Sequence, residues 1–382
     1  MTEDRQDRPD RVERRNVFAR VLEVRPWGRR GLSSEEEQVE VELATLVEAT
    51  YPEVLVEARA RLGGKAAGGR AAAAYVLGLA AAGRPERVPE VAPALAAALP
   101  GESHPEVSVA LAAALGMLWH PAALDPLLAM AGHGEARVRL EVAIALPGAA
   151  GDPPDPRVGS ALLRLCGDPD GAVRDWALFS LGHQLDLDTP EIRAALADRL
   201  TDVDRGARHE AIVGLARRGD PRAVEPLREA LTGREVDLDL IRAAAHSGDP
   251  GLLPALRRLR AVWSGDPVLV QEAIDHCDPR WRRWRDDRAS WLSSLVEGAF
   301  RTLGRAVRVD LGPIGPDDLD PWLWVSWVAA DGEQRTWCWD LDILVADRAE
   351  GEVELAARIV VADVDNAEAD LAGLDDPGAG PG

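Results

Sequence analysis

The sequence predicts a mainly α-helical chain: an α-solenoid of helical hairpins over residues 35–279, followed by a small C-terminal α+β module with an antiparallel meander over 280–370. Two observations carry this expectation. A ten-residue phrase, approximately Val-Arg-x-x-Ala-x-x-x-Leu-Gly, recurs at intervals of 29 to 38 residues, and self-similarity at that period marks one supersecondary unit used repeatedly. Near residue 305 the apolar period then drops from three or four to two, the change from helix to strand.

Residues 1–12 read as a disordered tail, part of a lead-in that runs to residue 34. Ser34 to Thr50 (SEEEQVEVELATLVEAT) sets a Ser before acidic residues and then spaced apolar ones, the pattern of a capped helix able to close the N-terminal end of a repeat array. Copies of the phrase begin at Gly69, Val107, Val138, Val173 and Ala207, with weaker copies at Val236 and Val268. A second apolar segment lies between successive copies, beginning at Pro89, Ala122, Arg157, Glu191, Arg222 and Gly251. Both segments return apolar residues every three or four positions, as at Val173, Ala177 and Leu181, so each unit is a hairpin of two amphipathic helices. Turns such as Gly167-Asp168-Pro169-Asp170-Gly171 separate the helices, and Asp170 and Asp204 each stand three residues before a phrase, where a carboxylate caps free N–H groups.

After Pro279 the composition shifts towards tryptophan. Trp281, Trp284, Trp291 and Leu295 share one helical face, which predicts a helix continuing to Leu303. Val307, Val309 and Leu311 then alternate, as do Leu323, Val325 and Trp327, and finally Trp337, Trp339, Leu341, Ile343 and Val345; Ala330-Asp331-Gly332-Glu333 supplies a turn between the second and third runs. Glu352 to Val361 fits a closing helix or a fourth strand equally well, and residues 371–382 read as a disordered tail.

The hairpins resemble HEAT repeats, in particular the short form found in the phycocyanobilin-lyase-like HEAT family, over roughly residues 52–278. The resemblance rests on three recurring features: the Asp of the inter-helix turn, the Arg at the second position of the second helix (Arg70, Arg139, Arg174, Arg208), and the small residue that ends the phrase (Gly78, Gly116, Gly182) and admits a close neighbour. The signatures of tetratricopeptide and ankyrin repeats are absent. The resemblance implies a protein-binding surface. It also implies two enzymatic alternatives, chromophore attachment and the di-iron hydroxylation that some HEAT enzymes perform.

Charge narrows the choice of partner. The formal net charge is −21, and 18 acidic against 5 basic residues from Leu303 onward give that segment −13. Such a field opposes nucleic acid and anionic membrane surfaces and favours a basic protein. The three cysteines (Cys166, Cys277, Cys338) match neither a disulfide framework nor a zinc knuckle, and MTEDRQDRPDRVERR lacks the apolar run of a secretory signal, so the expected location is the cytoplasm. Val107 to Leu124 has no charged side chain and approaches membrane length, yet it falls in register with the repeat and reads as two short helices.

Candidate chemistry is thin. His209-Glu210 matches one ligand step of a di-iron site, but the corresponding positions of the other units do not complete it. Asp275-His276-Cys277-Asp278 places adjacent residues that diverge around a helix. No catalytic, metal or cofactor residues are assigned. The expected function is a non-enzymatic protein–protein interaction scaffold or adaptor; the alternatives are an antitoxin or immunity-type protein masking a basic partner, and a HEAT-repeat enzyme of the lyase or hydroxylase kind. Partner contact is expected along the fourth position of the phrase and its neighbours: Glu141, Asp175, Trp176, His209, Glu210 and Asp239, an acidic row interrupted by one aromatic residue.

Overall fold

The computed structural model describes residues 9–24, 34–302, 306–312, 322–328, 333–340 and 359–364. The chain divides into two compact units, Met1–Ala223 and Val224–Gly382. The first begins with α1 (Pro9–Val24) and α2 (Ser34–Ala49). Five hairpins follow: α3 (Glu53–Leu62) with α4 (Ala67–Ala81), α5 (Val88–Ala97) with α6 (Pro105–Met117), α7 (Leu124–Met130) with α8 (Ala136–Ala145), α9 (Pro156–Leu165) with α10 (Gly171–Phe179), and α11 (Pro190–Ala197) with α12 (Arg205–Arg217). The second helices α4, α6, α8, α10 and α12 lie side by side, each carrying one copy of the phrase, while α1 and α2 pack on α4. Helix begins at Pro9, inside the stretch expected to be a tail, because Val17, Phe18 and Val21 bury an apolar face. Val107 to Leu124 breaks into α6 and the start of α7, and no helix among the described residues is long and apolar enough to cross a membrane.

The recurring Arg and Asp have a physical role in joining repeats. Arg139 grips the Asp168 carboxylate with Nε (2.6 Å) and Nη2 (2.8 Å), and its Nη1 donates to the His133 and Gly134 carbonyls of its own turn. Arg174 repeats this one unit on, with Asp202 at 2.8 and 2.6 Å and the Asp168 and Pro169 carbonyls at 2.8 and 3.2 Å. Asp168 therefore binds the preceding arginine through its side chain and the following one through its backbone. Asp202 does the same, its carbonyl accepting from Arg208. Arg70 forms the first such fork, on Glu102. Bidentate pairs of this kind fix orientation as well as distance.

The second aspartate of each turn caps the next helix: Asp170 accepts from Ala172 and Val173 N–H, and Asp204 from Ala207 N–H. Glycines set the spacing between second helices. A Cβ on Gly78 would meet the Ala114 Cα at 2.8 Å, one on Gly116 the Ala145 Cβ at 2.9 Å, and one on Gly182 the Gly214 Cα at 3.3 Å.

The turn carboxylates titrate low. Hydrogen bonds from Arg70 and Arg174 hold Glu102 and Asp202 below the usual range against the opposing effect of burial, and those from Arg222 take Asp220 down to about 2. A depressed carboxylate stabilises the fold above its unfolded pKa of about 4, and that contribution disappears as pH falls through the folded value. The urea midpoint should accordingly be flat from about pH 7 to 5 and fall between about pH 4 and 2. A decline already complete above pH 5 would show that other groups govern acid stability.

The second unit contains α13 (Val224–Leu231), α14 (Leu238–Ser247), α15 (Leu253–Arg260), α16 (Pro267–Cys277) and the long α17 (Pro279–Thr302). Three strands follow, β1 (Val307–Gly312), β2 (Trp322–Val328) and β3 (Gln334–Asp340), in an antiparallel sheet ordered β1-β2-β3. Val309 opposes Val325, and Val325 opposes Trp337, so the alternating residues share one face. Leu323, Val325 and Trp327 bury that face against Ala289, Leu292, Val296 and Phe300 of α17 and against Val360 and Val364. Residues 359–364 are helical, and Trp339 Nε1 donates to Asp363 across 3.0 Å, which settles the end of the ambiguous Glu352–Val361 stretch as helix. The side chains of Trp281, Trp284 and Trp291, and the expected strand residues Leu341, Ile343 and Val345, lie outside the described residues, as do Leu303 and the turn at Ala330–Gly332.

Candidate functional site

The exposed row expected along the fourth phrase position does not exist as such. Ala72 and Ala110 are fully buried and Glu141 is buried on α8, while Trp176 and Glu210 are half-buried; Asp239 alone is exposed, in the second unit, 3.9 Å from Arg242. The reason is geometric: this position faces the adjoining helix wherever second helices lie close together.

What the structure assembles instead is a line of side chains along α10 and across to α12. Trp176 meets Phe179 edge to face, with centroids 5.4 Å apart, and Phe179 stacks on His183 at 4.9 Å. The spacing Trp176, Phe179, His183 is i, i+3, i+7, one face of a helix. His183 Nε2 stands 3.0 Å from Glu210 Oε2, and both atoms are buried. Glu210 is thus engaged by the preceding repeat, whereas sequence reasoning paired it with its neighbour His209. Asp175 packs over the first turn of α12, where a Cβ on Gly206 would lie 2.8 Å from its carboxyl carbon, placing its charge at a helix N-terminus. His209 is half-buried on α12 beside Glu210.

The helix carrying this line changes pitch. Ser180–Gln184 forms a π-turn continuing α10. Such insertions leave carbonyls without helical partners. Arg218 supplies donors: Nη2 reaches the Leu181 and Leu187 carbonyls at 2.6 and 2.8 Å, and Nη1 reaches Gly214 at 2.8 Å and Gly182 at 3.3 Å. Its burial lowers the guanidinium pKa while Asp188 opposes the shift. The π-turn and its arginine together fix where His183 points.

The other chemical candidates separate. His276 is buried with Nδ1 against the Glu272 carbonyl at 2.9 Å, and Cys277 donates to Ala244 O at 3.3 Å, so the Asp275–Asp278 side chains do not converge. Among the described residues no three of His, Cys, Asp and Glu gather as a metal site. Burial pushes the Cys166 thiol up to about 12.

Residues 159–247, which contain this whole line, match the HEAT-repeat family. Within that stretch the chain is similar to HEAT repeats. Over 114 residues the chain is 36% identical to Protein YibA of Escherichia coli, in strain K12 and in O157:H7 alike, a stretch covering 30% of this chain and 40% of YibA's own length. The X-ray structure of E. coli YibA superposes with a TM-score of 0.53 and 21% identity, covering 72% of this chain and 98% of that one, which establishes a shared fold. The complex of CpcE and CpcF of phycocyanin lyase from Nostoc sp. PCC7120 superposes at a TM-score of 0.37 with 19% identity, covering 58% of this chain and 93% of that chain. The matched stretch contains the Arg174–Asp202 fork, the Gly182–Gly214 contact and the line from Trp176 to Glu210.

Proposed function

We propose that this HEAT-repeat chain is a non-catalytic binding protein that takes a basic segment of another protein on the face formed by α10 and α12. The observation that carries the reading is the Trp176–Phe179–His183–Glu210 line, in which half-buried aromatic rings lie beside carboxylates held in fixed positions. Rigid aromatic anchors among charges that need no reorganisation are the groups that dominate interface energies. The net charge of −21 supplies steering towards a basic partner. Glu141 is buried and contributes charge at most through the interior; Asp175, His209 and Glu210 flank the rings.

The test is a selection of random displayed peptides on the whole chain, run in parallel on wild type and on Trp176→Ala. Segments enriched by wild type should be rich in Arg and Lys and should be lost with Trp176. Enrichment of acidic or neutral segments that bind both proteins equally would contradict the reading.

A further inference from the structure

Trp119 follows α6 with φ of 45°, the single non-glycine residue at positive φ among the described residues, and it is 68% exposed. A bulky side chain on such a backbone is an outlier that its surroundings must hold in place. Here the support comes from the next repeat. A Cβ on Gly148 would stand 2.6 Å from Cε3, 2.7 Å from Cδ2 and 3.1 Å from Cζ3 of the indole. Cε3 is nearest and its two bonded neighbours, Cδ2 and Cζ3, lie at most 0.5 Å farther, which places the face of the ring, not its edge, on the glycine. The loop itself is pinned: Trp119 N–H donates to the Gly116 carbonyl at 3.2 Å, and His120 Nδ1 accepts from Ala122 N–H at 3.1 Å. Pro121 packs near Gly151, which brings the exposed Asp152 into the same loop cluster.

We propose that Trp119 is a platform on which an arginine or lysine side chain of the bound segment stacks, an inference that rests on the basic-partner reading above. One face of the indole is spent on Gly148 and the remainder stands in solvent. The open face of a tryptophan attracts cations more strongly than any other side-chain ring, and the molecule's net charge of −21 adds to that preference while opposing a second copy of the chain. Counted from the phrase starts Val138 and Val173, Gly148 and His183 are both the eleventh residue. The Trp119 platform therefore rests on the repeat adjoining the Trp176 line, at the position that His183 occupies one repeat on.

Two variants isolate the ring. Trp119→Gly removes it and suits the positive φ; Gly148→Ala keeps it but displaces it, since the three atoms nearest the new methyl all belong to the indole. With an oligo-arginine peptide as probe and the full chain as receptor, the Trp119 indole N–H resonance, assigned by its loss in Trp119→Gly, should shift on titration. Both variants should bind the peptide about threefold to fivefold more weakly. An unmoved Trp119 resonance overturns the proposal, as does a shift produced by oligoproline and not by oligo-arginine, or one produced by raising the protein concentration alone. The two readings fail separately. If Trp176→Ala weakens binding while both platform variants bind normally, the platform is wrong and the α10–α12 face stands; if no variant matters, both fall.

Discussion

Arg174→Ala should destabilise the N-terminal unit by about 3–5 kcal/mol, the cost of breaking a buried ion pair from one side. The substitution leaves the Asp202 carboxylate, whose side chain is 2% exposed, with the Asp204 N–H as its hydrogen bond and the Arg199 guanidinium at 3.6 Å as its nearest remaining cation. It also strips donors from the Asp168 and Pro169 carbonyls. For a unit of this size the loss corresponds to a fall of roughly 10 °C in Tm. Replacing both partners, Arg174→Met with Asp202→Leu, should recover most of it, because the penalty comes from a buried carboxylate that has lost its bidentate partner. Calorimetry of the three proteins decides the point. A loss under about 1 kcal/mol for the single variant would mean that the fork behaves as a surface pair, and the ladder would not be what joins these repeats.

Trp176→Ala should weaken binding of a selected basic segment by about 30-fold, equivalent to about 2 kcal/mol and typical of a central aromatic anchor. The side chain rests on Phe179, so truncation removes both contact area and the ring that orders its neighbour. Glu210→Gln preserves shape and removes one charge; it should cost less, and its cost should shrink as salt rises, since the electrostatic part is screened over a Debye length of about 10 Å at 0.1 M. The Trp176 effect should persist at high salt. Isothermal titration at two ionic strengths separates the two contributions, and equal salt sensitivity of both variants would contradict the division of labour.

The helical hairpins were legible because both helices of every unit repeat their apolar residues at the helical period, and the turn Asp together with the phrase Arg marked the turns. The roles of those residues were not: Arg139 and Asp168 lie 29 residues apart, and no local pattern states that they meet. His183 and Phe179 carried a signal in their i, i+3, i+7 spacing from Trp176, but the partner of His183 is Glu210 in the next repeat. The π-turn that aims His183 has no pattern beyond Gly182 facing Gly214. The acidic row failed because a row of equal positions in a stack of close helices is a packing row first. The β meander was readable from its alternation, while the sheet face chosen for burial follows from α17, a long-range choice.

The most direct test of the central claim is hydrogen exchange on the whole chain with and without a selected basic peptide. Occupancy of the α10–α12 face should slow exchange within residues 171–184 and 205–217, most of all in the π-turn at 180–184, where Arg218 holds the Leu181 and Gly182 carbonyls. Protection confined to other helices, with these two stretches unchanged at saturating peptide, would contradict it.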